Sequence, residues 1–210
     1  MSEEKMRCRA LVTLTGPSCS GKSHMAEILF THDNLSRIVS CTSRPPRPGE
    51  VEGRDYYFKS MEEFENGIAL DEFVEHVQFG EHRYGFTRTE LLEKTRDRTA
   101  LVVVEPQGLK QVAKISRDMR IPHVAIFVNA LPRLRMHRWL RRFHDEVNSG
   151  RSYIAALNSF SDRMTLSFTE ETEWRLDPHL YVILDDYRPE TTDYCLDVVR
   201  AAISATEDRA

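Results

Sequence analysis

Residues Gly16-Pro17-Ser18-Cys19-Ser20-Gly21-Lys22-Ser23 match G-x-x-x-x-G-K-[ST] at every fixed position. No other stretch restricts the fold so far, because the pattern works only between a strand and a helix. Leu11-Val12-Thr13-Leu14-Thr15, just before it, has the apolar and β-branched make-up of a strand buried on both faces. Just after it, Met25, Ile28 and Leu29 recur at helical spacing. In that context the turn aims backbone N–H groups inward at a helix N-terminus and cradles phosphate. Gly16 and Gly21 allow backbone angles and a close approach that a side chain would block. Lys22 is then placed for the β- and γ-phosphates, and the Ser23 hydroxyl for Mg²⁺. The expected triphosphate-binding residues are Gly16, Ser18, Cys19, Ser20, Gly21, Lys22, Ser23 and His24.

A second anion site is suggested by Thr42-Ser43-Arg44-Pro45-Pro46-Arg47-Pro48-Gly49-Glu50. Prolines stiffen this loop, and the forked guanidiniums of Arg44 and Arg47 bind phosphate bidentately. Tyr56 and Tyr84 can each add a hydroxyl donor. The same composition would also suit a basic surface linker. Further on, Arg135, Arg138 and Arg142 share one helical face within 133–142. For Arg133, Arg135 and Arg141 a solvated position is expected. Two phosphate sites in one small chain point to phosphoryl transfer.

These motifs, with Asp55-Tyr56, Glu72-Phe73-Val74-Glu75, Tyr84-Gly85 and Glu105-Pro106-Gln107-Gly108, make the chain resemble the guanylate kinase family across about residues 9 to 200. The resemblance implies an α/β fold: a P-loop NTPase-type three-layer core with a parallel sheet, an inserted nucleotide-monophosphate-binding subdomain and a helical lid. It implies a single unit over 1–210, with core at 9–36 and 92–205, insertion at 37–91 and lid at about 133–152. It implies the reaction of ATP and GMP (or dGMP) to ADP and GDP, with Mg²⁺. The lid arginines of the family align with Arg138, Arg142 and Arg163, which join Lys22 and Arg44 as expected catalytic residues. Ser40, Arg44, Arg47, Glu50, Tyr56, Glu75, Tyr84, Thr87 and Glu105 are the expected GMP-binding set. Phe86 stands where the family usually has Ser or Thr, and Thr87 follows as a substitute hydroxyl. Val103 replaces one of two usual carboxylates, Phe143 a glycine and Asp185 an asparagine.

Strand alternation places Phe73, Glu75, Val77 and Phe79 on one face. A carboxylate on an apolar face needs donors. Guanine supplies two, N1–H and the N2 amino group, and adenine has no such pair. The competing reading pairs Glu75 with Arg83 or Arg88. Glu105 follows the apolar run Leu101–Val104, at the strand end where α/β ligands bind. It can hold a Mg²⁺ water or a base donor; the residues alone do not separate the two.

With 29 Lys+Arg against 33 Asp+Glu the net charge is -4, which disfavours general nucleic-acid binding. No apolar run reaches the ~20 residues of a membrane span, and the polar N-terminus lacks a signal-peptide core. A cytoplasmic protein with small-molecule partners is expected, monomer or homodimer. Cys8, Cys19, Cys41 and Cys195 show no metal spacing and read as free thiols. Two capping boxes, Ser60–Glu63 and Thr87–Glu90, should open helices, the first ending at Gly67. A kinase of the same scaffold with a different phosphorylated acceptor, and a non-catalytic guanylate-kinase-like protein-binding module, are the other readings of these motifs.

Overall fold

The computed structural model describes residues 9–47, 49–174, 181–184 and 189–207. The chain opens with β1 (Leu11–Thr15), α1 (Lys22–His32), β2 (Ser36–Arg37), β3 (Cys41–Thr42), β4 (Tyr57–Phe58) and α2 (Met61–Ala69). Next come β5 (Phe73–Phe79), β6 (His82–Thr87), α3 (Arg88–Thr95), β7 (Ala100–Val103), α4 (Pro106–Asp118) and β8 (His123–Asn129). It closes with α5 (Pro132–Asn148), α6 (Tyr153–Trp174), β9 (Tyr181–Leu184) and α7 (Pro189–Glu207).

Strands and helices alternate through most of this order, and the strands β2-β7-β1-β8-β9 form one parallel sheet. All five residues of β1 are buried, as its apolar run requires for a strand covered on both faces. Val12 and Leu14 face Met25 and Leu29 of α1 and Leu196 and Val199 of α7. Leu11 faces the opposite way, into a cluster with Leu91 of α3 and Leu109 and Val112 of α4. Helix, sheet and helix thus make three layers, the α/β architecture that the family resemblance implies.

A smaller sheet, in the order β4-β3-β6-β5, is built from the segment between β2 and α3. Its outermost pair is antiparallel, with Glu75 opposite Phe86, His76 opposite Gly85 and Val77 opposite Tyr84. The register slips between Phe73 and Glu75, a bulge that strict alternation does not anticipate. Phe73 stacks on Phe64 of α2 with centroids 4.3 Å apart, whereas Val74 joins Phe86 in the main core. Phe73 therefore does not share the environment of Glu75.

Local signals held unevenly. Ser60 and Glu63 form the full capping box of α2, but Gly67 lies inside that helix, which runs on to Ala69. A Cβ at Gly67 would meet the Phe73 ring at 2.8 Å, so packing against β5, not helix termination, accounts for the glycine. On α6, Tyr153 and Leu157 are exposed while Ala156 is buried. The apolar residues at 153 and 157 are therefore turned to solvent. The sequence features at Asp185, at Cys8 and in the tail beyond 207 lie outside the described residues.

His123, at the start of β8, shares a 2.9 Å hydrogen bond with the buried Thr13 hydroxyl. Burial lowers its pKa to about 4. The unfolded chain takes up a proton near pH 6.5 and the folded chain only near 4. This contribution to stability is therefore complete above pH 6.5 and is lost as pH falls toward 4. Thermal midpoints measured across that window should fall less steeply for His123→Gln than for the parent protein.

Candidate active site

The phosphate loop leaves β1 under tight steric constraint. A Cβ on Gly16 would stand 2.2 Å from the Val128 carbonyl oxygen, and its φ of 142° already lies where side chains are disfavoured. Gly21, at φ 111°, caps the N-terminus of α1. Cys19 takes a positive φ of 60°, a conformation uncommon outside glycine. Lys22 Nζ donates to the carbonyls of Gly16 at 2.6 Å and Pro17 at 3.0 Å, so the ammonium lies folded across the loop.

The carbonyls on the other side of the loop are satisfied by α5. Arg138 Nη1 donates to Cys19 O at 2.9 Å, and Arg135 Nε to Ser18 O at 3.3 Å. Trp139 Nε1 lies 3.4 Å from Ser18 Oγ. Arg135 is buried, which corrects the expectation that it is solvated: the loop needs donors, and the first arginine of the shared helical face supplies one. Arg133 and Arg141 are exposed, as expected. Arg142, farther along the same face, reaches the cleft. The backbone at Arg163 belongs to α6, but its side chain lies outside the described residues.

Across the cleft, Arg44 is held in place before any ligand arrives. Its Nη2 donates to both Glu50 oxygens, at 2.8 and 3.0 Å, and its Nη1 to Pro45 O at 2.6 Å. The Arg47 backbone N–H donates to Glu50 Oε2 at 2.7 Å. Burial opposes the charge on Arg44, but Glu50 outweighs it and raises the pKa. Burial likewise opposes the charge on Glu50, yet Arg44 and the Arg47 N–H keep its carboxyl below the usual range. Glu50 thus orients the arginines instead of lining the cleft. The Arg44 guanidinium lies 5.6 Å from the Tyr56 ring centroid, and Tyr56 packs edge-on against Tyr84.

Between these two ends lies Glu75, only 5% exposed. Its Oε2 accepts no hydrogen bond from the described residues. Neither arginine considered as a partner is available to it: Arg83 pairs with Glu65 and Arg88 with Asp71. Burial, and secondarily the charge of Glu105, push its pKa up to about 8. Gln111 on α4 was not singled out from the sequence, yet its side-chain amide bonds both the N–H and the C=O of His76, each at 3.2 Å. It anchors the backbone beside Glu75.

One open cleft of about 530 Å³ collects most of the expected residues. Gly16, Ser18, Lys22 and Ser23 line one end, and Arg44, Arg47, Tyr56 and Tyr84 the other, with Ser40, Glu75, Glu105 and Arg142 also on its wall. Several expected residues are elsewhere. Thr87 caps α3, its Oγ1 accepting from Glu90 N at 3.2 Å, and it does not line the cleft. The Thr87–Glu90 box is only half formed, because Glu90 instead accepts from Val39 N at 3.0 Å. His24 is exposed on the first turn of α1, away from the cleft wall. Phe86 is fully buried beside Val74 and Leu109.

Residues 8–164 match the family model described as guanylate kinase. A guanylate kinase of a Synechococcus species is 36% identical over 148 residues, 70% of this chain and 80% of that one. The guanylate kinase of Synechococcus elongatus is 42% identical over 106 residues, which span 50% of this chain and 58% of that relative. The crystal structure of guanylate kinase from Anaplasma phagocytophilum superposes with a TM-score of 0.60 at 25% identity, covering 92% of this chain and 86% of that one. With the family model covering most of its length, this chain belongs to the guanylate kinase family.

Proposed function

We propose that this protein transfers the γ-phosphoryl group of ATP to GMP, giving ADP and GDP. The observation that carries the reading is Glu75, a buried carboxylate with an unsatisfied Oε2 on the wall of a cleft whose two ends carry phosphate-binding residues. A buried acceptor of this kind is costly unless a ligand supplies donors. The N1–H and N2 amino group of guanine are two adjacent donors, and adenine lacks them. Ser40 and Glu105 stand on the same wall.

Phosphoryl transfer asks a protein for positioning and charge neutralisation. The bond from the γ-phosphorus to the bridging oxygen of ATP breaks, and a bond to a phosphate oxygen of GMP forms. That oxygen is already ionised near neutral pH, so no general base is required. Arg44, held by Glu50, and Arg47 neutralise the acceptor phosphate. The loop N–H groups, Lys22 and Arg142 neutralise the donor phosphates. Arg138 supports the loop from behind through Cys19 O. Lys22 must exchange its bonds to Gly16 O and Pro17 O for phosphate oxygens.

Mg²⁺ would supply further neutralisation of the phosphate charge. Ser23 and Glu105 offer oxygen ligands in the cleft. Among the described residues no group of three His, Cys, Asp or Glu could cage a metal. One or two protein oxygens suit an ion whose other ligands are water and nucleotide phosphate. Among the described residues no helix is long and apolar enough to cross a membrane.

The direct test is ADP formation from ATP with GMP, dGMP, AMP, CMP and UMP offered separately. Turnover confined to GMP and dGMP is expected, falling at least about a hundredfold in Lys22→Ala. Turnover with another acceptor would overturn the base assignment. A second expectation follows from Glu75 titrating near pH 8. Only its ionised form accepts both guanine donors, so the KM for GMP should fall as pH rises from about 7 to 8.5 and should be flat in Glu75→Gln. The folded carboxyl holds its proton up to about pH 8 and the unfolded one only to 4.5. Stability from this group is therefore lost as pH rises through that window, and Glu75→Gln should gain thermal midpoint over the parent toward pH 8.5.

A further inference from the structure

We infer that Gly108 is the positioning residue for the base-recognising carboxylate, its missing side chain being the space in which the end of Glu75 lies. The inference rests on the reading of Glu75 given above. A Cβ on Gly108 would stand 2.3 Å from Glu75 Oε2 and 3.0 Å from Glu75 Cδ. Gly108 is the third residue of α4, its N–H donating to Glu105 O at 2.9 Å. Its φ is not in the left-handed region, so the backbone itself does not call for glycine. Glycine is a poor helix former, and the helix gains nothing from it here. What it permits is the approach of a carboxylate to the helix surface.

The neighbouring contacts decide what would yield if the space were filled. Gln111, one turn farther along α4, holds the N–H and C=O of His76. On the other side, a Cβ at Gly85 would meet Glu75 O at 2.3 Å and His76 Cα at 3.1 Å, so β6 lies directly against the backbone of β5. The main chain at Glu75 is clamped between α4 and β6 and cannot retreat from a methyl group at position 108. The carboxylate is the far end of a rotatable side chain and can. A Cβ at 108 would therefore swing the acceptor oxygens aside and leave the fold in place.

The test compares Gly108→Ala, Glu75→Gln and the double variant for KM of GMP, KM of ATP and thermal midpoint, using ADP formation by the full chain. Gly108→Ala should raise the KM for GMP about tenfold or more, leave the KM for ATP unchanged, and leave the thermal midpoint unchanged or higher because alanine favours the helix. In the Glu75→Gln background it should add no further rise, since the group it displaces no longer accepts both donors. If Glu75→Gln raises the KM for GMP and Gly108→Ala does not, the inference is overturned and the base reading stands. If Glu75→Gln leaves that KM unchanged, the base reading fails and the inference fails with it. A Gly108→Ala protein that loses thermal midpoint and raises both KM values overturns the inference in favour of a packing role. Gly85→Ala supplies the contrast: its Cβ meets backbone, so its thermal midpoint should fall.

Discussion

The first turns of α4 against β5, with α3 packed beside them, join the two sheets, and the cleft depends on how that joint is built. Gln111 ties α4 to the backbone of His76, while Phe86 and Val74 pack with Leu109 and Val112. Apolar burial gives the joint its strength but no direction. The two amide bonds supply the direction, because they fix where β5 lies along the helix. Glu75 is carried on that strand, so its position relative to the phosphate loop is set by contacts between elements far apart in the chain. A slip of one residue would exchange Glu75 for Val74 or His76 on the cleft side. The bulge beside Glu75 lets Phe73 serve α2 while Glu75 serves the cleft.

On the proposed reading, with an acceptor end at Arg44 and a donor end at the phosphate loop, charge is handled differently at the two ends of the cleft. At the acceptor end the cation is fixed in advance: Glu50 and Pro45 O hold Arg44, and little reorganisation remains when a phosphate arrives. At the donor end Lys22 rests on the loop's own carbonyls. That contact satisfies the ammonium and also occupies the loop. A polyanion of higher charge repays the exchange more fully than a weakly charged ligand, which favours triphosphate over simple anions. Arg135, Arg138 and Trp139 hold the loop from its outer side. The start of α5 is thereby part of the phosphate-loop structure, and Arg142, farther along that helix, reaches the cleft wall.

What was legible in the sequence is what short spacing encodes. The strand, glycine turn and helix around Gly16–Ser23 follow from local sterics, and the Ser60–Glu63 box follows from backbone groups within one turn. The pairing of Arg44 with Arg47 in one stiff loop was equally visible, and the structure adds Glu50 as the group that orients them. What was not legible depends on distant neighbours. Gly67 reads as a helix stop until the Phe73 ring is seen against it. Arg135 reads as solvated until the Ser18 carbonyl appears beside it. Thr87 reads as a spare hydroxyl until α3 claims it as a cap. Gln111 carried no signal at all, because its partner is backbone 35 residues away.

Phe86 shows how a packing demand and a recognition demand compete for one position. It sits opposite Glu75 in the strand pair, where a hydroxyl could have met a ligand. The ring is instead fully buried with Val74, Leu91 and Leu109, and a ring of that size contributes on the order of 1.5–3 kcal/mol through burial. The exchange strengthens the joint and removes a donor from the base region. Thr87 does not replace it, since it caps α3 and does not line the cleft. At the end of β7, in the other sheet, Val103 stands where the family usually has a second carboxylate, leaving Glu75 with Ser40 and Glu105 on that wall. A base read by fewer groups must be read by each more exactly. On the proposed reading the placement of a single carboxylate then matters more, and Gln111 behind the strand and Gly108 beneath the carboxylate become part of how the site would distinguish its ligand.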